Sequence, residues 1–174
     1  MLNELIYEEE IAVLKNIFKD KLDDLDIKIY QLLREDGRVS DTKIAERLGV
    51  SITTVRRRRL RLQEEGILQV MALILLKAAN VAYADVLVKF KQKAKTEEIK
   101  EFISRAVSNP RIYEVTEYIG GEYDILLRFF ESNPEKLKYH IDKFLRGGDI
   151  VEMYRVYLAV GSPKAWYRKF TIKF

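Results

Sequence analysis

The chain is predicted to be an α+β protein in two parts. A winged-helix-like helix-turn-helix unit comes first, and a ferredoxin-like βαββαβ sheet follows. Three observations predict this. Residues 22–66 carry helical periodicity broken at short intervals by capping residues and glycines. One of these helices, SITTVRRRRLRL, holds five arginines. From residue 81 onward, short runs rich in β-formers alternate with helix-period runs in the order βαββαβ.

Composition bounds the class. The chain has 174 residues, 48% apolar and 33% charged, enough to bury a core in one or two domains. Net charge is only +4, but it is unevenly placed: eight basic residues face two acidic ones between Arg38 and Arg61. A concentrated positive field points to a polyanionic partner. The absence of cysteine excludes disulfides and thiolate metal sites, and fits a reducing cytoplasm, the expected location. No apolar run approaches the roughly 20 residues that cross a bilayer, so no membrane partner is expected. The acidic, interrupted N-terminus is unlike a signal peptide.

Residues 2–22 read as an amphipathic helix, with Tyr7, Ile11, Leu14, Phe18 and Leu22 recurring at steps of three and four. Such a face either packs on its own domain or meets a second copy, and the sequence leaves both open. Residues 22–38 read as the next helix. Asp23 and Asp24 stand at its start, where carboxylates cap free N–H groups and suit the helix dipole. They are read as a cap, not as an acid–base pair. Leu25, Ile29, Leu32 and Leu33 form its inward stripe, and Gly37 is expected to end it. Ser40 caps a helix containing Ile44, Ala45 and Leu48, with Ala45 small enough for a close crossing. Gly49 should take the left-handed conformation of a sharp turn, and Val50 plugs the turn. Ser51 caps the third helix and Gly66 ends it.

The arginines carry the function. A charge run is often a plain solvated face, but these have only Glu64 and Glu65 as acidic neighbours in the local sequence. Consecutive helical residues point about 100° apart, so not all can reach one groove. The expected division puts Ser51, Ile52, Thr53, Thr54 and Arg57 toward DNA base edges. Arg56, Arg58 and Arg61 then flank them near phosphates, where they position rather than specify. Arg38 and Ser40, ahead of the preceding helix, complete the candidate contact set. Arg59 sits four residues after Val55 and three before Leu62, where an apolar residue is expected. Either its stem lies along the core and its head reaches solvent, or Leu60 takes its place through a small rotation.

After Gly66, ILQVMALILL reads as a strand or linker, with a boundary near 76–80. The parse beyond is a strand at 83–90, a helix at 96–107, strands at 111–119 and 123–131, a helix at 134–146, and a strand at 150–160. Helices then cover one face of the sheet. The other, with Tyr83, Leu87 and residues of 150–160, is too apolar to leave wet, so a second subunit is its expected cover. The division is therefore a helical extension at 1–21, the DNA-binding unit at 22–66, a linker strand at 67–80, the sheet domain at 81–160 and a tail at 161–174.

LDDLDIKIYQLLREDGR, IAERLGVS, TTVRRR and RLQEEGIL resemble the DNA-binding half of the Lrp/AsnC (feast/famine) transcription regulators. That family opens L-D-x-x-D-x-x-I and closes the domain with L-x-x-x-G-x-I. Leu22, Asp23, Asp26, Ile29, Gly37, Arg38, Leu62, Gly66 and Leu68 match without gaps. Arg59 departs from the family's apolar residue, and residues 1–21 precede its usual start. The βαββαβ order is similar to the family's effector-binding (RAM) half, so the resemblance spans about residues 22–160.

The resemblance implies a pocket at GGEYD, residues 120–124, which alone reads as a hairpin turn. Gly121, Glu122 and Asp124 match the family's G-D/E-x-D, which borders an amino-acid effector held between dimers; Tyr123 lies within it. A carboxylate beside exposed backbone amides suits an α-amino acid, with Asp124 as the ammonium partner. Tyr118 and Tyr123 could close the pocket, or pack as core. His140, the single histidine, has no acidic or serine neighbour at triad spacing, and no cofactor-binding, P-loop or nucleophile-elbow motif is present. No catalytic residue, metal or cofactor is therefore expected. The expected partners are double-stranded DNA, an amino-acid effector, and a second copy in a homodimer or, if dimers close on one another, an octamer. Two other readings stay open: an enzyme like the tetrapyrrole decarboxylases that resemble this family, and an architectural DNA binder of low specificity.

Overall fold

The computed structural model describes residues 2–72, 81–147, 149–162 and 172–173. The chain forms two compact units that divide between Leu73 and Ile74. The expected boundary at 76–80 and most of the tail after Ser162 lie outside the described residues.

The first unit contains α1 (Leu2–Phe18), a 3-10 turn (Lys19–Lys21), α2 (Asp24–Glu35), α3 (Asp41–Leu48) and α4 (Ile52–Glu64). The caps fall at Asp23, Ser40 and Ser51 as the sequence predicts, but the partner of Asp23 is Asp26, while Asp24 lies in the first turn of α2. Asp23 and Asp26 form a reciprocal capping box on α2. Ser40 accepts the Lys43 N–H on α3, and Ser51 accepts the Thr54 N–H on α4. Gly49 and Gly66 are left-handed, with φ of 66° and 69°. Two ends differ from expectation. The first helix stops at Phe18, because Lys19 adopts a positive φ of 46° and starts the tighter turn. The second stops at Glu35, because Asp36 turns extended and its side chain takes the Arg38 N–H at 2.9 Å. Gly37 follows this stop. Its backbone is not left-handed; a Cβ there would lie 3.2 Å from Val70 Cγ1.

Ile29, Leu33, Val39, Ile44, Ala45, Val55, Leu62 and Leu68 form the core, with Leu25 and Leu32 packed at its edge. On α2 a second side is also covered. Ile27 is fully buried, Gln31 is buried, and Arg34 follows them at helical spacing. Gln31 Nε2 donates to Glu10 of α1 at 3.2 Å and Arg34 pairs with the same carboxylate. Lys15 pairs with Asp24. Of the two readings of the first helix, packing on its own unit is thus realised, while Val13 and Ile17 stay exposed at 56% and 64%. The Tyr7 side chain lies outside the described residues.

The second unit contains β1 (Ala82–Phe90), α5 (Thr96–Val107), β2 (Ile112–Glu117), β3 (Ile125–Glu131), α6 (Pro134–Leu145) and β4 (Val151–Leu158). A small ladder pairs β5 (Gly161–Ser162) with β6 (Ile172–Lys173). The main sheet is antiparallel throughout, in the order β2-β3-β1-β4, which is the ferredoxin-like arrangement. Alternation along β1 sends Ala84, Val86, Val88 and Phe90 under the helices. There they meet Leu127 and Phe129 of β3, Phe102 and Ala106 of α5, and Leu137, Ile141 and Leu145 of α6.

The opposite face is mixed rather than simply apolar. Tyr83, Tyr113 and Phe130 form an aromatic cluster with centroids 5.9–6.4 Å apart. Beside it Arg128 bridges Asp85 at 3.2 Å and Glu114 at 2.9 Å. Leu87 and Leu126 stand opposite each other in the next rung. On β4, Tyr154, Val156, Tyr157 and Leu158 are exposed at 42–61%, so this strand leaves apolar side chains uncovered on both its faces.

Candidate nucleic-acid interface and effector turn

The α4 helix is divided into three stripes. Val55 and Leu62 are buried against α2 and α3. Arg58, Arg59 and Arg61 lie at the margins. Ile52, Thr53, Arg56, Arg57 and Leu60 face outward, with Ile52 at 49% and Leu60 at 42% exposure. Helical spacing keeps this outward set on one side, as a helix lying in a groove requires. Of the candidate contacts, the structure brings Ser51, Ile52, Thr53, Arg56 and Arg57 together on the exposed N-terminal half. Thr54 is half-buried, and its hydroxyl lies 2.8 Å from Ser51 Oγ. The Arg38 side chain is exposed, and Ser40 is exposed while capping α3.

Three arginines have acidic partners that are distant in sequence. Asp26 is only 1% exposed and accepts from Arg58 Nη1 at 3.1 Å and Arg61 Nη2 at 2.7 Å. It also takes the Asp23 N–H at 3.2 Å, which completes the capping box. Asp23 pairs with Arg58 as well. The capping Asp23 and the Asp26 of α2 therefore hold the side of α4. Partial burial works to raise the Asp23 pKa. The Arg58 hydrogen bond, the Asp26 N–H and the guanidinium charge outweigh it, and its carboxyl sits below the usual range. Hydrogen bonding to Asp23 is the largest cause holding Arg58 more firmly charged. Arg59 keeps the inward position, while Leu60 stays outside. Its guanidinium reaches Asp41 of α3 at 3.2 Å, so an ion pair stands where an apolar contact was expected.

The turn between β2 and β3 is fastened at its base. Asp124 donates its N–H to Val88 O at 2.9 Å and accepts the Tyr118 N–H at 2.8 Å. Its Oδ2 accepts the Phe90 N–H at 2.7 Å, beside the register shift at Lys89 and Phe90. One carboxylate oxygen is thus committed to the fold. Gly120 supplies the positive φ, at 81°. Gly121 and Glu122 are exposed, and Tyr123 and Asp124 are half-buried. The Tyr123 hydroxyl is buried with no hydrogen-bond partner among the described residues.

Arg155 of β4 was not legible as part of this site. It pairs across the sheet with Leu87, on the face away from the helices. A hydrogen bond with Tyr157, then the fields of Tyr123 and Glu122, hold it more firmly charged. Only the register of β4 on β1 brings it to the turn; the alternation of β4 gives its face but not its neighbour. His140 is half-buried, 3.6 Å from Glu131. Among the described residues no group of three His, Cys, Asp or Glu side chains could hold a metal, and no helix is long and apolar enough to cross a membrane.

This geometry is that of a helix-turn-helix unit followed by a ferredoxin-like domain. The AsnC-type helix-turn-helix domain model matches residues 22–63. The uncharacterized HTH-type transcriptional regulator PH1055 of Pyrococcus horikoshii is 35% identical over 84% of this chain and 91% of its own length. The leucine-responsive regulatory protein of Rhizobium meliloti is 28% identical over 85% and 95%. Among solved structures, a complex of the transcriptional regulator NMB0573 of Neisseria meningitidis with L-Met superposes with a TM-score of 0.75. It is 26% identical, over 83% of this chain and 94% of that one. The chain belongs to the Lrp/AsnC family of helix-turn-helix transcription regulators.

Proposed function

We propose that this regulator binds pseudo-palindromic DNA as a homodimer or higher oligomer and that an amino acid modulates it. The observation that carries the DNA reading is the outward stripe of α4, where Thr53, Arg56 and Arg57 stand exposed and without ion pairs among the described residues. In this reading Ser51, Ile52, Thr53, Thr54 and Arg57 read bases, and Arg38, Ser40 and Arg56 hold the backbone. Arg58 and Arg61 flank them, already half engaged by Asp23 and Asp26. A two-fold dimer places two such helices about one helical turn, roughly 34 Å, or a multiple apart. The uncovered face of the sheet is the surface that a second copy closes.

The effector site is the turn at Gly121, Glu122, Tyr123 and Asp124. The free oxygen of Asp124 takes the ammonium, and the backbone amides with nearby Arg155 take the carboxylate. The L-Met complex of the Neisseria relative supports this reading. To regulate, the amino acid must bind one assembly state better than another.

The test is selection of genomic fragments by the purified protein at physiological salt, with and without a pool of amino acids. An inverted-repeat motif, changed by one amino acid, is the expected result. Fragments without a shared motif would replace this reading with the architectural one. No fragments, together with a spectral shift on adding a tetrapyrrole, would replace it with the enzyme.

A further inference from the structure

We infer that the C-terminal unit carries a second small-molecule site, a cationic cleft between α6 and the head of β2 that takes a phosphate-bearing metabolite. The cleft is open to solvent, has a volume of about 420 Å³, and its lining includes Arg105, Arg111, His140, Lys143 and Phe144. It is distinct from the effector turn. Arg111 precedes β2 and Glu131 ends β3, whereas residues 118–124 join the other ends of the same two strands. At about 3.3 Å per residue, a strand length of roughly 20 Å separates the two.

The charges converge from three elements. Arg105 comes from α5, Lys143 from α6 and Arg111 from the approach to β2. Among the described residues, the carboxylate ion-paired to one of these three permanent cations is Glu131, 2.9 Å from Arg111 Nε. Asp142 is engaged instead by Lys138, at 3.0 Å. Arg105 is held in place: it donates to Gly147 O at 2.7 Å and Phe144 O at 3.4 Å. Its guanidinium lies over the Phe144 and Phe102 rings at 5.2 and 5.7 Å. It thereby offsets the negative carbonyl end of α6, which would otherwise repel an anion. Each of its terminal nitrogens keeps one N–H to spare. Both terminal nitrogens of Arg111, and Lys143 Nζ, have no hydrogen-bond partner among the described residues.

Charge and shape select the ligand. A phosphomonoester carries about −1.5 to −2 at neutral pH, which balances the two uncompensated cations. The planar Arg111 fork suits two phosphate oxygens. A zwitterionic amino acid would bring an ammonium among cations. A duplex presents its phosphates on a convex surface, which does not fill a concavity.

The experiment uses the full chain, with inorganic phosphate and pyrophosphate as probes. Titration calorimetry is run at an ionic strength held constant with chloride. The parent is expected to bind saturably. Lys143→Glu, an exposed helical position, and Arg111→Gln should each weaken binding at least tenfold. Lys136→Glu, exposed on the same helix but outside the cleft, should not. Melting temperatures confirm that each variant is folded; if Arg111→Gln is not, Lys143→Glu alone decides. Absence of saturable binding by the parent, or equal weakening by Lys136→Glu, overturns the proposal. So does a loss of DNA affinity in Lys143→Glu without phosphate, because the cleft would then belong to the duplex. None of these outcomes bears on amino-acid binding at Asp124.

Discussion

Asp26 is the residue on which the N-terminal unit turns. A carboxylate removed from water is tolerable only when its oxygens are filled, and here two guanidiniums and a backbone N–H fill them. Replacing it with alanine leaves Arg61 without its carboxylate and Arg58 with Asp23 alone. Because both arginines are partly solvated, Asp26→Ala is expected to cost about 2–3 kcal/mol, below the full penalty of a broken buried pair. Urea unfolding measures it. Glu131 makes a second prediction. The Ser132 N–H first, then Arg111, draw its pKa from 4.5 down to about 2. A depressed carboxyl contributes stability that is complete above the unfolded value and lost as pH falls through the folded one. The parent should therefore lose stability between about pH 4.5 and 2, by about 1–2 kcal/mol once solvent screening is allowed for. Glu131→Gln should reduce the loss across that window in acid titrations followed by circular dichroism, leaving the part due to Asp23.

At the scale of elements, α4 was legible in one direction and opaque in another. Its ends could be read because Ser51 and Gly66 act on backbone groups within a few residues. Its arginines could be recognised, but not their division. Asp26 lies 32 and 35 residues from Arg58 and Arg61, and nothing local announces the pairing. The place of Arg59 in the periodicity marks it as unusual, and its pair with Asp41 explains it. The turn between β2 and β3 shows the same asymmetry. Gly120 and Asp124 follow from turn chemistry and resemblance, whereas Arg155 arrives through strand register. The stripes predict distinct DNA phenotypes. Arg57→Ala should lose about 1–3 kcal/mol of discrimination between specific and random duplexes. Arg61→Ala should lower thermal stability while changing the salt slope of binding by less than the ~0.9 expected for one phosphate contact. Fluorescence anisotropy across a salt series separates the two.

For the whole molecule, the order βαββαβ was readable because helix and strand periods alternate cleanly, and it dictates that one sheet face lacks helices. The charged rung on that face was not readable. Arg128 lies between Asp85 and Glu114 only because three strands align in register. A face that joins aromatics to an ordered charge ladder can match a two-fold copy of itself more selectively than a greasy one. Placing a carboxylate among its exposed aromatics, as in Tyr157→Asp, should shift sedimentation toward monomer without lowering the helix content. An unchanged sedimentation coefficient would put the contact elsewhere.

The clamp of Asp23 and Asp26 on Arg58 and Arg61 has a consequence for redesign. It separates the part of the helix that fixes pose from the part that can be rewritten. On the proposed reading, the exposed Thr53, Arg56 and Arg57, with Leu60 beside them, form a cassette that can be exchanged for other side chains without disturbing the anchor. A library randomised at those four positions should yield folded proteins with altered operator preferences. One randomised at the clamp should yield mostly proteins that no longer hold a helix in place to read anything.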